Sequence, residues 1–416
     1  MTANSRPRLL VVGATTFRMR AFATWQAMGL HVTLADGHST SRYEQVVDEF
    51  HPLDVRDNSA DVELLASLAD RADGVTALAD DSQTTVSVLA ERAGLPSIGV
   101  KAAAAARSKS VQRALYDRAG MHSLAWREVH SAEDLETFFG ERGGPAVLKP
   151  VDATGGLGAL AVDTLDEARR KLGVVLTLSP TRTAIVEDRL SGFEVCVEAV
   201  ISQGEVVFAA ITDADHLDGP GFVCAYGRFG ARRDLNPRAE QEVAQLADAL
   251  GIRDSIIHAE YKVDGDDWVI LETALRPGGA FCPEMTARTT GVNLYEVQAR
   301  LALGRPVTAG NVQAEEVSAT FAQVQYIPAK GTVRRFVPPA EILAGLPDVH
   351  EAGQQVLPGQ RLRSPMSDGG RAGYVLGWGE DLESLHGQLQ VAADRLCAGM
   401  DLRRIVHTGK PAQAVG

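Results

Sequence analysis

Over the first hundred or so residues the apolar positions switch between unbroken runs and a helical period. Residues 9–12 form an apolar run closed by Gly13, the pattern of a strand buried on both faces of a parallel sheet. Residues 17–28 carry helical spacing and stop at Gly29, and 32–35 read as a second strand. A helix over 62–69, a strand over 74–79 and a helix over 84–93 follow, the last ended by Gly94-Leu95-Pro96. This alternation predicts a doubly wound α/β domain over 1–105. The alanine-rich stretch 101–107 reads as a linking helix, and 110–119 as a helix ended by Gly120. Ser131 and Thr164 each stand three residues ahead of an acid, Asp134 and Glu167, as at a helix N-terminus. Between them, 146–150 reads as a strand entering a glycine-rich loop. Strand-like runs dominate 187–272, and beyond 310 the pattern is mixed, with a strand over 321–327 and a helix over 382–396.

Composition narrows the function class. The 416 residues are 45% hydrophobic and 23% charged with 40 glycines, an ordinary globular balance that excludes disorder and fibrous repeats. A net charge of −13 without a Lys/Arg cluster argues against nucleic acid as a partner. No apolar run approaches a membrane span, and the stretch behind Arg6 and Arg8 is too short for a signal sequence. Cys196, Cys224, Cys282 and Cys397 are scattered without a CxxC pair, which suits a reducing cytoplasm better than a disulfide framework or zinc site. The turn 13–16 lacks the glycines of a dinucleotide fingerprint, so Asp36 at the end of the second strand is read as part of a scaffold or a small-substrate pocket.

Three stretches carry candidate chemistry. Lys149 precedes a loop, 153–158, containing Thr154, Gly155, Gly156 and Gly158, whose backbone N–H groups can approach an anion closely. It is neither a Walker loop nor a Rossmann turn, and a plain mobile hairpin tip is the competing reading. Next, 258–263 and 268–272 flank Asp264-Gly265-Asp266-Asp267 as a hairpin. If Asp264 stands opposite Trp268 around a three-residue loop, Glu260 stands opposite Glu272. Directly opposed carboxylates lie about 4.5–5.5 Å apart at Cβ and repel unless a cation intervenes. Either a hard divalent metal, Mg²⁺ for preference, or a lysine such as Lys262 or Lys149 meets that need, unless the register is shifted by one. Arg276, four residues after Glu272, suits a bidentate clamp on an anion or a plain surface position before a turn. Finally, Glu187 and Glu194 flank a bend between two strands, placed to meet a ribose or an adenine amino group or simply to face solvent.

In their order and spacing, Lys109, Lys149, the 155–158 loop, Glu187, Glu194, Glu260, Glu272 and Arg276 resemble the ATP-grasp superfamily over about 105–305. Within it the chain is most similar to carboxylate–amine ligases of the L-amino acid ligase type, a branch that segment 291–304 also resembles. The resemblance implies an ATP-grasp fold over 106–310, with a lid subdomain at about 122–186. A doubly wound pre-ATP-grasp domain precedes it, and a C-terminal α/β region over 311–416 completes the ligase.

It also implies roles. Lys109 and Lys149 would bind the ATP phosphates, with loop 153–158, including Thr154, Gly155, Gly156 and Gly158, as the lid. Glu187, Asp188 and Leu190 would form the hinge meeting adenine, and Glu194 would hold the ribose. Glu260 and Glu272 would ligate Mg²⁺, with Mn²⁺ as a substitute, and Arg276 would hold an acyl phosphate or carboxylate. Ala274 stands where many relatives carry a metal-binding Asn, a departure shared with the amino acid ligase branch.

The implied reaction activates a carboxylate as an acyl phosphate and joins it to an amine, with amino acids as the expected substrates. His216 and His258 are the candidate bases for the amine, and Asp80, Asp81 and 280–284 lie where a substrate would approach. A cytoplasmic homodimer acting on small molecules, with neither nucleic acid nor membrane as partner, is the expected setting. Two rivals stand beside this reading: a purine- or biotin-type ATP-grasp ligase or carboxylase, and a non-catalytic ATP-binding regulatory module.

Overall fold

The structure, a computed structural model, describes residues 6–14, 16–37, 41–55, 61–217, 219, 221–313 and 315–406. Residues 1–5, residue 15 of the turn after the first strand, and residues 218 and 220 of the loop after His216 lie outside that set. The N-terminal unit is a parallel sheet of β1 (Arg8–Val12), β2 (His31–Ala35), β3 (Glu49–His51) and β4 (Gly74–Thr76), in the order β3-β2-β1-β4. Helices Met19–Ala27, Val62–Ala69 and Gln83–Ala93 cover its faces. Asp36, 2% exposed, accepts the Ala14 N–H at 2.7 Å and so fixes the turn after β1.

The second unit is an antiparallel sheet of β5 (Trp126–Val129), β6 (Ala146–Pro150), β7 (Leu160–Val162) and β8 (Ala184–Asp188), in the order β5-β8-β6-β7. Helices Ala132–Arg142 and Leu165–Leu178 pack on it through Leu135, Phe138, Ala168, Leu172 and Val175. The predicted caps are used: Asp134 takes the Ser131 N–H at 2.9 Å, and Thr164 takes the Glu167 N–H at 3.2 Å.

The centre is an eight-stranded sheet. Its members are β9 (Phe193–Ser202), β10 (Glu205–His216), β11 (Cys224–Phe229), β12 (Ser255–Asp264) and β13 (Asp267–Ala274), joined by three strands from the C-terminal residues. With β14 (Phe321–Ile327), β15 (Ala329–Thr332), β16 (Val349–Gln354), β17 (Arg361–Leu362), β18 (Gly373–Gly379) and β19 (Leu402–Arg404) numbered, the order is β13-β12-β9-β10-β11-β14-β18-β16. The C-terminal residues therefore extend the central sheet, while β17-β15-β19 forms a small sheet of its own and helix Leu382–Met400 packs across β14 and β18.

Alternation along the central strands divides the sheet into two faces. Val195, Val197, Ala199 and Ile201 of β9, with Ile257, Ala259, Tyr261 and Val263 of β12, form the back face. They pack on helix Asn236–Leu250, whose buried Ala239, Val243, Leu246 and Leu250 recur at helical spacing and which ends at Gly251 with φ +69°. Each fully buried Val, Leu or Ile here contributes about 1.5–3 kcal/mol. The front face, offset by one residue, carries Glu194, Cys196 and Glu198 of β9 and His258, Glu260 and Lys262 of β12.

Candidate active site

The hairpin β12–β13 sets the site. Its turn is two residues long, Gly265-Asp266, with Asp264 opposite Asp267. The three-residue loop expected from sequence is thus corrected, because Gly265 takes φ +61° and allows the tighter turn. A bulge at Leu271 adds the residue that the turn omits, and Glu260 stands directly opposite Glu272. The Leu271 carbonyl left over by the bulge accepts from Arg113.

The opposed carboxylates pair directly with Lys109 and His258, while Lys262 and Lys149 pair with Glu194 and Glu187. Lys109 Nζ lies 2.9 Å from Glu272 Oε1 and donates to the Ala153 carbonyl of the glycine-rich loop at 2.7 Å. Lys109 opens helix Lys109–Arg118, where the helix dipole disfavours a cation, so Glu272 and the loop carbonyl must hold it there. His258 covers Glu260: its Nε2 is 3.6 Å from Glu260 Oε1 and its Nδ1 is 2.6 Å from Glu198 Oε1. Burial opposes the charge on the ring, but Glu198 and Glu260 outweigh it and raise the His258 pKa to about 10. Burial would likewise raise the Glu260 carboxyl, yet His258, His216 and Lys149 hold it down at about 2. Between these two carboxylates His258 compensates their charge.

Lys149 points to Glu187 instead, Nζ to Oε2 at 2.7 Å. Glu187 is 2% exposed and also receives Arg113 Nε at 2.8 Å. Burial pushes this carboxyl up, but Arg113 and Lys149 together hold it below the usual carboxylate range. Arg113 is fully buried on the inward face of its helix and was not singled out in the sequence. The spacing Lys109, Gln112, Arg113, Tyr116 along one buried helix face was the signal available. Asp188 turns outward to Arg142 at 2.6 Å, so its carboxylate, expected at the hinge, does not join the cluster; Leu190 is half-buried beside it.

Glu194 sits between His216 (Nε2 to Oε1, 3.5 Å) and Lys262 (Nζ to Oε2, 3.6 Å). His216 therefore stands beside Glu194, the carboxylate expected to meet the ribose. Above this face lies the loop 153–158. Gly155, Gly156 and Gly158 take φ of +61°, +69° and +74°, and a Cβ on Gly156 would stand 2.8 Å from the Phe222 carbonyl. The Gly155 carbonyl accepts the Asp368 N–H at 3.2 Å, and Leu160 bridges Gly221, so the loop rests on the opposite wall of the cleft. Thr154 opens its tight turn, with its carbonyl accepting the Leu157 N–H at 3.2 Å.

Arg276 closes the far end. Its Nε donates to Asp80 Oδ1 at 2.6 Å and a second nitrogen meets Asp80 Oδ2, joining the N-terminal unit to the cleft. Burial pushes the Asp80 carboxyl up, and Arg276, Arg18 and Arg107 more than reverse this. Arg18, 2% exposed, donates to the carbonyls of Pro277 and Gly278 and so fixes the turn after Arg276. Glu284, the last residue of the segment 280–284, stands beside Tyr295. Burial raises its carboxyl, Tyr295 donates to Oε1 at 3.2 Å, and its buried Oε2 has no hydrogen-bond partner among the described residues.

A hard divalent cation fits the opposed pair. Glu260 and Glu272 offer oxygens on one face, both partly open to the cleft, and each now leans on a cation that a metal would replace. Ala274 offers no ligand.

Comparison with known proteins agrees with this architecture. Residues 143–284 match the family model of the ATP-grasp domain. An L-amino acid ligase of Bacillus licheniformis superposes with a TM-score of 0.78 at 20% identity, covering 98% of this chain and all of that one. Among curated sequences, a formate-dependent phosphoribosylglycinamide formyltransferase of Corynebacterium jeikeium is 25% identical over 314 residues, 72% of this chain and 74% of that protein. A carbamoyl phosphate synthase large chain of Pasteurella multocida is 23% identical over 197 residues, which is 46% of this chain and 18% of that protein. This chain thus matches less than a fifth of the synthase's length. Residues 143–284 thus match the ATP-grasp domain, and the chain as a whole shares its fold with the L-amino acid ligase. Among the described residues, no helix is long and apolar enough to cross a membrane.

Proposed function

We propose that the chain is an ATP- and Mg²⁺-dependent carboxylate–amine ligase that makes an amide through an acyl phosphate, with an amino acid among its substrates. The observation that carries the reading is the front face itself. Glu260 opposes Glu272 beneath a glycine-rich loop, and Lys109 ties Glu272 to that loop.

In this reading Lys109 and Lys149 leave their glutamates for the ATP phosphates. Glu187 tolerates the loss of Lys149 because Arg113 stays on it, so no buried carboxylate is left unpaired. Glu194 holds the ribose with His216 and Lys262 beside it, while Leu190 and the backbone at Asp188 face the adenine. Glu260 and Glu272 hold Mg²⁺, which supplies charge neutralisation for phosphoryl transfer. Loop 153–158 covers the phosphates and keeps water from the activated carboxylate. Arg276, exchanging Asp80 for the substrate, holds the carboxylate through its activation. The half-satisfied Glu284 carboxylate receives the amine. No side chain acts as a nucleophile; positioning and electrostatics carry the rate.

The turn after β1 favours an unphosphorylated amine over a ribonucleotide. In a doubly wound domain that turn is where a phosphate is bound by backbone N–H groups. Here the Ala14 N–H is already given to the buried Asp36 carboxylate, which repels a second anion. This counts against the purine-type rival.

The test offers amino acids singly and in pairs and reads phosphate release from ATP. Release that requires a pair, with a product lighter by one water than the two substrates together, is expected. Arg276→Ala should abolish ligation while sparing ATP binding. Unchanged turnover in that variant would sink the assignment.

A further inference from the structure

Beside the opposed glutamates the front face holds a second donor set of different chemistry. Cys196 of β9 is the direct cross-strand partner of Glu260 on β12, and His258 is two residues along β12 on the same face. One ligand atom from each of Cys196, His258 and Glu260 lies within 4.8 Å of the other two. These are sulfur, nitrogen and oxygen donors, where Mg²⁺ calls for oxygens alone.

The histidine is also prepared. Glu198, wholly buried, holds His258 Nδ1 at 2.6 Å, and its other oxygen accepts the Gly278 N–H at 2.9 Å. The ring is thereby fixed with Nε2 turned toward Glu260, the carboxylate–histidine arrangement that orients metal-ligating imidazoles. A Cβ on Gly278 would stand 2.0 Å from Glu198 Oε1 and 2.7 Å from His258 Nδ1, so the backbone itself makes room for this pair. The mechanism above gives Cys196 no task.

We infer that Cys196, His258 and Glu260 form a binding site for a borderline-soft divalent metal of the Zn²⁺ class, sharing Glu260 with the Mg²⁺ pair. Binding sends to solvent the Cys196 thiol proton and any proton on His258 Nε2, while the Nδ1 proton stays on His258, donated to Glu198. No oxidation state changes. Three protein ligands leave a fourth position for water. Occupancy draws Glu260 toward Cys196 and His258 and away from its place opposite Glu272, and so switches the ligase off. The metal-binding half stands independently of the ligase reading, and only the inhibition rests on it.

The experiment titrates the full chain, free of nucleotide and metal, with Co²⁺ as a spectroscopic probe. A thiolate-to-cobalt charge-transfer band is expected, lost in Cys196→Ser under a retained circular-dichroism spectrum. Glu198→Gln should weaken Co²⁺ affinity by about 10–100-fold. No band in the native chain overturns the site. So does a band retained in Cys196→Ser, since it would come from Cys224, Cys282 or Cys397. Zn²⁺ is then added to Mg²⁺-dependent phosphate release, and its inhibition should weaken at least tenfold in Cys196→Ser. Co²⁺ binding through Cys196 with no inhibition by Zn²⁺ keeps the metal site and overturns the sharing of Glu260.

Discussion

The two faces of β9 and β12 differ by one residue of register and by everything else. Toward the back, Val195, Val197, Ile257 and Tyr261 meet a helix and exclude water. Toward the front, Glu194, Cys196, Glu198, His258 and Glu260 crowd into the same area. The back face is what lets the front exist, because burial there holds strands whose other side carries repelling carboxylates. The front face shows a further contrast within itself. Glu187, deep in the cleft, is enclosed by two cations, whereas Glu260 and Glu272 each make one direct ion pair with a cation and stay partly open to the cleft. Charge enclosed with its partners belongs to the frame, and charge left open to the cleft marks where a ligand belongs.

Exchanging one residue on each face gives the largest effects and separates the two roles. Ile257→Ala, at a wholly buried back-face position, should cost about 2–5 kcal/mol in urea unfolding while leaving the affinity for ATP unchanged. Glu272→Gln should do the reverse, lowering turnover by about 10²–10³-fold with the unfolding midpoint nearly kept. Equal losses of stability in both would erase the distinction between the faces.

A smaller effect is expected at the loop. Gly156→Ala introduces a side chain at φ +69° and 2.8 Å from the Phe222 carbonyl, a strain of about 1–3 kcal/mol. It should keep the loop off the opposite wall, so ATP turnover without product formation rises relative to ligation. The ratio of phosphate to amide measures this.

The smallest effect is a pH dependence of the unliganded protein. His258 has its pKa raised from 6.5 to about 10, so the stability it adds is whole below pH 6.5 and is lost as pH rises through 10. Glu260, lowered to about 2 from 4.5, adds stability that is whole above pH 4.5 and is lost as pH falls through 2. In Glu198→Gln the alkaline part of this profile should flatten, seen as a change in the fall of Tm between pH 6.5 and 10 on the order of a few °C. An unaltered profile would remove Glu198 as the holder of the imidazolium.

Elements with a local signature were legible. Strand Phe321–Ile327 and helix Val62–Ala69 lie where their periodicity puts them, and helix Leu382–Met400 runs one turn past its expected end. The opposition of Glu260 and Glu272 was legible for a reason only partly right. The turn is shorter than expected, and the bulge at Leu271 restores the pairing. What sequence could not supply was cross-strand company. Lys109 on Glu272, Glu198 on His258 and Cys196 beside Glu260 come from strands and helices far apart in the chain, and sheet order is not written in any one segment. The addition of β14, β16 and β18 to the central sheet was hidden for the same reason.

The central claim is that the front face activates a carboxylate with ATP, and oxygen transfer tests it most directly. The carboxylate substrate found by pair screening is labelled with ¹⁸O in both oxygens, and the phosphate released is weighed. An acyl phosphate hands one carboxylate oxygen to phosphorus when the amine displaces it, so the account predicts one ¹⁸O in each phosphate. Unlabelled phosphate released alongside amide would contradict it.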